Sequence, residues 1–132
     1  MGHAGMTSAP RILSISSDSS VFETRNQVLV SAGFEVVGCF RGEGALEAFT
    51  RQAVDAVVIG DSLSPEGRRV LLEAFRKLRP NIPVVVIRRS GAAEEDLDAT
   101  AVIESLDGPQ RLIRVLQSLL ISSPERSKSL AE

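Results

Sequence analysis

Short apolar runs with the composition of β-strands end at residues of little chemical reactivity. The residues at these ends are Ser16, Ser17, Gly60, Arg88 and Ser105. In a parallel α/β sheet, ligands and catalytic groups gather at the carboxyl ends of the strands. Two carboxylates stand beside these positions, so a cleft formed by Asp18, Asp61 and Arg88 has the charges to bind an anion or a small metabolite. Most of the polar chemistry usual at such an edge is missing.

Common catalytic and metal-binding arrangements lack the residues that they require. His3 is the single histidine, so a Ser-His-Asp or Cys-His arrangement, or a metal site of several histidines, has no parts. The single cysteine, Cys39, lies in an apolar run and is predicted to be a buried structural thiol, with a reactive thiol as the alternative. The Gly-rich phosphate-binding motifs G-x-G-x-x-G and G-K-[ST] are absent. We therefore expect no cofactor, no bound metal and no enzymatic activity.

The composition is that of one soluble globular domain. The chain has 132 residues, of which 43% are apolar and 24% are charged. Its formal net charge of −2 provides no basic field for nucleic acid or an anionic membrane. No apolar run approaches the length of a membrane span, and no signal-peptide pattern occurs. We expect a cytoplasmic domain that binds neither nucleic acid nor membrane.

Strand-like and helical segments alternate five times along the chain. The expected strands are Arg11–Ser16, Phe34–Phe40, Val54–Ile59, Pro83–Ile87 and Ala101–Ile103. The expected helices are Val21–Ala32, Ala45–Gln52, Glu66–Leu78 and one from Pro109 to about Ile121, with at most two helical turns between residues 88 and 100. Residues 1–9 are expected to be a flexible leader, residues 10–121 the folded domain, and residues 122–132 a disordered polar tail or linker.

This alternation predicts an α/β fold of the flavodoxin-like type. The expected architecture is a (βα)5 three-layer sandwich around a five-stranded parallel sheet. Right-handed crossovers favour the strand order 2-1-3-4-5.

The order and spacing of these segments resemble the receiver domain of bacterial two-component response regulators. The first half of the family is similar to the segment RILSISSDSSVFETRNQVLVSAGFEVVGCFRGEGALEAF. The similarity includes the family's "GF-V" entry to the second strand and its "G-EAL" start of the second helix. The family's third strand, third helix and fourth strand are similar to the segment VDAVVIGDSLSPEGRRVLLEAFRKLRPNIPVVVI. The resemblance extends over roughly residues 11–120 and implies the same fold as the alternation of segments.

The resemblance also implies a phosphorylation site, and this chain departs from it at every central position. Members of the family carry a phosphoryl group on an aspartate after the third strand, beside Mg²⁺ held by two acids after the first strand. A Thr or Ser after the fourth strand and a Lys after the fifth bind the phosphoryl oxygens. Carried over residue by residue, the acidic pair falls on Ser16 and Ser17, the acceptor on Gly60, the hydroxyl on Arg88 and the lysine on Ser105.

The charged residues beside these positions have competing interpretations. Asp18 is either a remaining acid of the pocket or a charge favoured at a helix N-terminus. Asp61 is a displaced phospho-acceptor, a loop cap or a partner of Arg88. We hypothesise that Arg88 pairs with Asp61 or Asp18 and fills the space of magnesium and phosphate, which would hold the domain in one state. The alternative is that Arg88 points to solvent or binds an anion that arrives with a partner.

The last predicted helix carries a wider apolar arc than one sheet face requires. Ile113, Leu116 and Leu120 are candidates for an interaction face, and burial in the core is the alternative. The resemblance implies association through the side that contains this helix, since receivers commonly associate there. We expect a protein partner, or a second copy of the chain, on the last helix and the fifth strand.

These observations together predict a degenerate receiver, or pseudo-receiver. Such a domain is a protein-interaction and regulatory module of signal transduction that acts without aspartyl phosphate. One alternative is a phosphorylation-competent receiver of a phosphorelay that uses Asp61. The other is a sensor of a small ligand or anion at the strand-end cleft.

Overall fold

Five parallel strands form the single sheet of the domain. The computed structural model describes residues 9–89 and 99–122. The strands are β1 (Arg11–Ser16), β2 (Glu35–Phe40), β3 (Ala56–Ile59), β4 (Val84–Arg88) and β5 (Ala101–Glu104). Their order in the sheet is β2-β1-β3-β4-β5, which confirms the predicted fold class and strand order.

Helices cover both faces of the sheet. They are α1 (Ser19–Ser31), α2 (Ala45–Arg51), α3 (Pro65–Leu78), α4 (Pro109–Ser122) and a 3₁₀ helix (Ser105–Asp107) before α4. Phe49 of α2 and Phe75 of α3 pack on one face, and Leu29 of α1 and Leu116 of α4 pack on the other. Most of the segment between β4 and β5, where at most two helical turns were expected, lies outside the described residues, as do most of the predicted leader and tail. None of the described helices is both long enough and apolar enough to cross a membrane.

The register of the central strands brings their carboxyl ends together. Ile15 of β1 lies opposite Cys39 of β2 on one side and Ile59 of β3 on the other. β3 is buried along its whole length, as expected for a central parallel strand with helices on both faces. The residues that follow Ile15 and Ile59 are therefore neighbours at one edge of the sheet.

Side-chain caps fix where α1 and α3 begin. Asp18 accepts a hydrogen bond from the backbone N–H of Val21 at 3.1 Å, so α1 begins at Ser19 rather than at Val21. Ser64 accepts one from the N–H of Gly67 at 3.0 Å and starts α3. Such caps satisfy backbone donors that have no partner within the helix. Of the two interpretations of Asp18, the charge at a helix N-terminus is confirmed.

The apolar arc of α4 faces the core. Leu116 is 0% exposed and Leu120 is 5% exposed, and both pack in the cluster that includes Leu29. The prediction that Leu116 and Leu120 belong to an interaction face is therefore wrong, because side chains enclosed by the sheet and α1 cannot contact a partner. Ile113 is half-buried against the same cluster.

Cys39 is a buried thiol, as predicted, and we expect it to be unreactive in the folded protein. Burial raises the pKa of the Cys39 thiol, which lowers the fraction present as the reactive thiolate. Reaction with an aromatic disulfide reagent at neutral pH should be at least about 100-fold slower than in urea, because it requires local opening. Equal rates in native and denatured protein would contradict the burial of this side chain.

Candidate functional site

Hydroxyl groups link the ends of β1 and β3. Ser62, in the loop after β3, lies with its Oγ 3.0 Å from the Oγ of Ser16 and accepts a hydrogen bond from the N–H of Ser17 at 2.7 Å. The Oγ of Ser16 also accepts from the N–H of Asp18 at 3.2 Å. Ser16 is fully buried. These bonds use the hydroxyl groups at the strand ends to tie two loops together.

A guanidinium group occupies the space beside Gly60. Arg25 of α1 is only 6% exposed, and its Nη2 lies 2.4 Å from the position that a Cβ atom at residue 60 would take. Its Nη1 donates to the carbonyl oxygen of Ile15 at 3.2 Å and approaches the Oγ of Ser14 at 3.4 Å. A side chain on residue 60 therefore cannot enter the site unless Arg25 moves away.

Small residues on three neighbouring strands allow α1 to lie this close to the sheet. Ser14 of β1 is fully buried and donates to Oδ1 of Asn26 at 2.7 Å. Gly38 of β2 lies beneath α1, and a Cβ there would stand 2.7 Å from the ring of Phe22. A glycine within a strand often marks such a close approach. Together with Gly60 after β3, these residues form a shallow floor for the polar side of α1.

The charge of Arg25 is costly to bury and is only partly compensated. Burial lowers the pKa of the guanidinium, and the negative charge of Asp61 acts in the opposite direction. Asp61 is half-buried in the loop after β3. An arginine stays protonated at neutral pH even so. The site therefore contains a permanent cation beside the carboxylate of Asp61.

Arg88 forms its ion pair within the sheet. Its Nη2 lies 3.4 Å from Oε2 of Glu104, the residue opposite it in the register of β4 and β5. Among the described residues, neither Asp18 nor Asp61 forms a hydrogen bond or ion pair with it. The hypothesis that Arg88 pairs with one of these aspartates is corrected, because parallel pairing places Glu104 closer. The cation near the vacant acceptor position is Arg25.

The residues at the metal position of the receiver family do not fit Mg²⁺. This ion prefers carboxylate and phosphate oxygens and a near-octahedral set of ligands. Ser16 offers a neutral, buried hydroxyl that is already hydrogen-bonded, and Asp18 caps α1. Within residues 9–89 and 99–122, no three Asp, Glu, His or Cys side chains group closely enough to hold a metal ion.

A cleft of about 350 Å³ opens between α1, the end of β5 and the start of α4. The apolar part of its wall consists of Val28, Ile103 and Leu112, and its charged groups include Arg25 and Asp61. Of the predicted site residues, Asp61 and Ser105 line this cleft. Ser16 lies instead in the hydroxyl network, and Arg88 on the β4–β5 surface. The structure thus divides the predicted pocket into three separate environments.

Two residues that hold the site together were missing from the sequence prediction. Arg25 stands three residues after Phe22 and four before Leu29, so helical periodicity places it on the same face as these two apolar residues. A charge on such a face, with glycines at strand ends, is the signal that indicates it. Ser62 has no comparable signal, since nothing in a Ser-rich loop tells which hydroxyl reaches the neighbouring strand.

Solved structures with the same arrangement of strands and helices are response regulator receivers. A CheY-like receiver domain protein from Methanospirillum hungatei has a TM-score of 0.78 and 22% identity, covering 92% of this chain and 99% of that one. A putative response regulator from Chloroflexus aurantiacus has a TM-score of 0.75 and 22% identity, covering 84% and 97%. The chain has the CheY-like receiver fold. No protein-family model matches the sequence, and neither does any curated protein sequence.

One similar receiver has been solved with a phosphoryl analogue. The response regulator TrrA from Thermotoga maritima, in complex with Mg²⁺-BeF, has a TM-score of 0.74 and 18% identity, covering 83% of this chain and 98% of that one. The TM-scores establish a shared receiver fold, and at these identities the likeness extends no further than the fold. The chemistry of this chain has to be argued from its own residues.

Substitution of Gly60 by alanine tests whether Arg25 fills the acceptor position. The backbone at Gly60 is not in the left-handed region, so alanine meets only the packing around it. Contact with Nη2 of Arg25 should lower the free energy of unfolding by about 1–3 kcal/mol. Urea denaturation measures this value.

The matched control repeats Gly60→Ala in an Arg25→Ala background. There the alanine retains only a 3.3 Å approach to the carbonyl oxygen of Ile15. Its cost should fall by about 1 kcal/mol or more, since residues in contact are energetically coupled. An identical cost in both backgrounds would show that the guanidinium does not occupy this space.

Proposed function

We propose that this chain is a receiver-like protein-interaction and regulatory module of signal transduction that works without aspartyl phosphate. The observation that carries the proposal is the guanidinium of Arg25 beside Gly60. At this position the receiver family bears its phospho-acceptor, whereas here a cation of α1 takes the space. The domain binds partners and is not an enzyme.

The electrostatics of the strand ends support a fixed state. Phosphorylation of a receiver adds negative charge that a divalent cation and fixed donors must neutralise. In this chain Arg25 supplies a permanent positive charge; burial lowers the pKa of its guanidinium, and the charge of Asp61 offsets part of that effect. The site therefore holds a permanent cation beside a carboxyl group without a phosphoryl group or a metal.

Exposed apolar side chains favour an interaction surface along β5, the 3₁₀ helix and α4. Leu106 of the 3₁₀ helix is 84% exposed and Ile121 of α4 is 76% exposed, the highest values for large apolar residues in the described part of the chain. Val102 of the edge strand β5 is also exposed. Edge strands are ready sites of pairing with other chains. We propose that this surface mediates self-association.

Thermal unfolding with Mg²⁺ and beryllofluoride tests independence from phosphorylation. The melting temperature of the wild type should not change, because Gly60 offers no carboxylate and Ser16 and Ser17 offer no anionic ligand for the metal. An Asp61→Asn variant should behave in the same way. The TrrA receiver, solved with Mg²⁺-BeF, is the positive control.

The alternative use of Asp61 as a displaced acceptor gives the opposite result. The wild type would then gain several degrees of melting temperature with the analogue, and Asp61→Asn would lose that gain. This outcome would overturn the proposal and make the domain a phosphorylation-competent receiver.

Sedimentation velocity over a range of concentrations tests the interaction surface. Leu106→Glu should weaken self-association at least about tenfold, since it places a charge among apolar contacts. Val30→Glu is the matched control, because Val30 is an exposed apolar residue on a different helix, α1. A monomeric wild type at every concentration, or equal effects of the two substitutions, would rule out self-association through Leu106.

A further inference from the structure

The cleft beside α1 contains a buried cation with unused hydrogen-bonding capacity. Arg25 lines the cleft and is 6% exposed. Its hydrogen bonds to described residues leave from Nη1 alone, so Nε and Nη2 have no acceptor in the described part of the chain. Neither atom is among the buried side-chain donors without a partner in the described part of the chain, so both reach the cleft that Arg25 lines. A guanidinium presents two parallel N–H groups that match a carboxylate. A planar anion in the cleft can therefore accept hydrogen bonds from both N–H groups.

A second charge in the cleft restricts which anion fits. Asp61 lines the same cleft and acts on Arg25 electrostatically. Glu104 also lines it, but its carboxylate is paired with Arg88 at 3.4 Å. A dianion or polyphosphate on Arg25 would be repelled by the carboxylate of Asp61. A ligand that bears its own positive group beside its carboxylate turns this repulsion into attraction.

The walls and the size of the cleft define the rest of the ligand. Val28, Ile103 and Leu112 form apolar wall. The volume of about 350 Å³ lies at the lower end of the range for small-molecule sites. The occupant is therefore small and carries an apolar group next to its charges.

We propose that this cleft binds a free α-amino acid with an apolar side chain. The carboxylate accepts hydrogen bonds from Nε and Nη2 of Arg25, and the ammonium group faces Asp61. The side chain packs on Val28, Ile103 and Leu112. This inference goes beyond the proposed interaction function, because it assigns a ligand to a cleft that the interaction surface does not require.

Binding is tested on the full chain with valine, leucine, methionine and phenylalanine as probes. At least one of them should raise the melting temperature by a few degrees at about ten times its Kd, because a ligand of the folded state stabilises it. The same ligand should shift the amide resonances of Gly60, Ile103 and Gly108. The probes are tested at concentrations up to about 20 mM, which reveals even binding with a millimolar Kd. If none of the four produces either effect, the proposal is overturned.

Analogues that lack one charge identify the groups that recognise the ligand. For leucine these are 4-methylpentanoate, without the ammonium group, and 3-methylbutan-1-amine, without the carboxylate. Each should bind the wild type at least about tenfold more weakly than leucine. In Asp61→Asn the preference for leucine over 4-methylpentanoate should disappear. An analogue that binds as tightly as leucine to the wild type contradicts the assigned role of Asp61 or of Arg25.

Arg25→Met should abolish binding. A pair of variants outside Arg25 keeps the test valid if that mutant does not fold. Thr24→Phe should block the cleft, because Thr24 is an exposed residue on its wall. Val30→Phe places the same ring on another part of α1 and should leave binding unchanged. If Thr24→Phe binds like Val30→Phe, the amino acid does not enter this cleft. Failure here with an unchanged response to Mg²⁺ and beryllofluoride leaves the proposed function standing.

Discussion

The burial of one guanidinium group against the sheet governs the functional edge of this domain. Arg25 is enclosed because the residues beneath it are small: Gly60 after β3, and Ser14 on β1. A charge in such a place is stable only with partners, and the carbonyl oxygen of Ile15 and the charge of Asp61 supply part of that need. A side chain at residue 60 and this cation cannot occupy the same space.

A fixed cation changes what the receiver fold can do. The fold brings the carboxyl ends of β1 and β3 together through strand register alone, whatever residues stand there. With acids at those ends, the edge suits a metal and a phosphoryl group. With Ser16 bonded to Ser62 and Arg25 beside Gly60, the same edge is already filled and hydrogen-bonded. The architecture is thus that of the receiver fold, and the residues that it positions at this edge are a hydroxyl pair and a buried guanidinium.

The two proposed binding regions follow from how the last helix packs. The core encloses Leu116 and Leu120. The exposed large apolar residues near this helix are Leu106, in the 3₁₀ helix before it, and Ile121, close to its end. Between the start of α4 and α1 the packing leaves the cleft that Arg25 lines. Ser105 lines the cleft and the neighbouring Leu106 is exposed, so ligand and partner would contact adjacent residues of the 3₁₀ helix. This arrangement is suited to coupling them.

The sequence by itself determined the architecture, because alternation of apolar runs and helical periodicity is local, and right-handed crossovers leave few strand orders. It also has a glycine, Gly60, where the resemblance places the phospho-acceptor. Only the tertiary structure decided what fills the space beside that glycine. Arg25 stands far from Gly60 in the sequence, and Arg88 was the nearer candidate by strand topology. Contacts between a helix and the strand beneath it depend on packing distances set by small residues such as Gly38, and no local pattern encodes those distances.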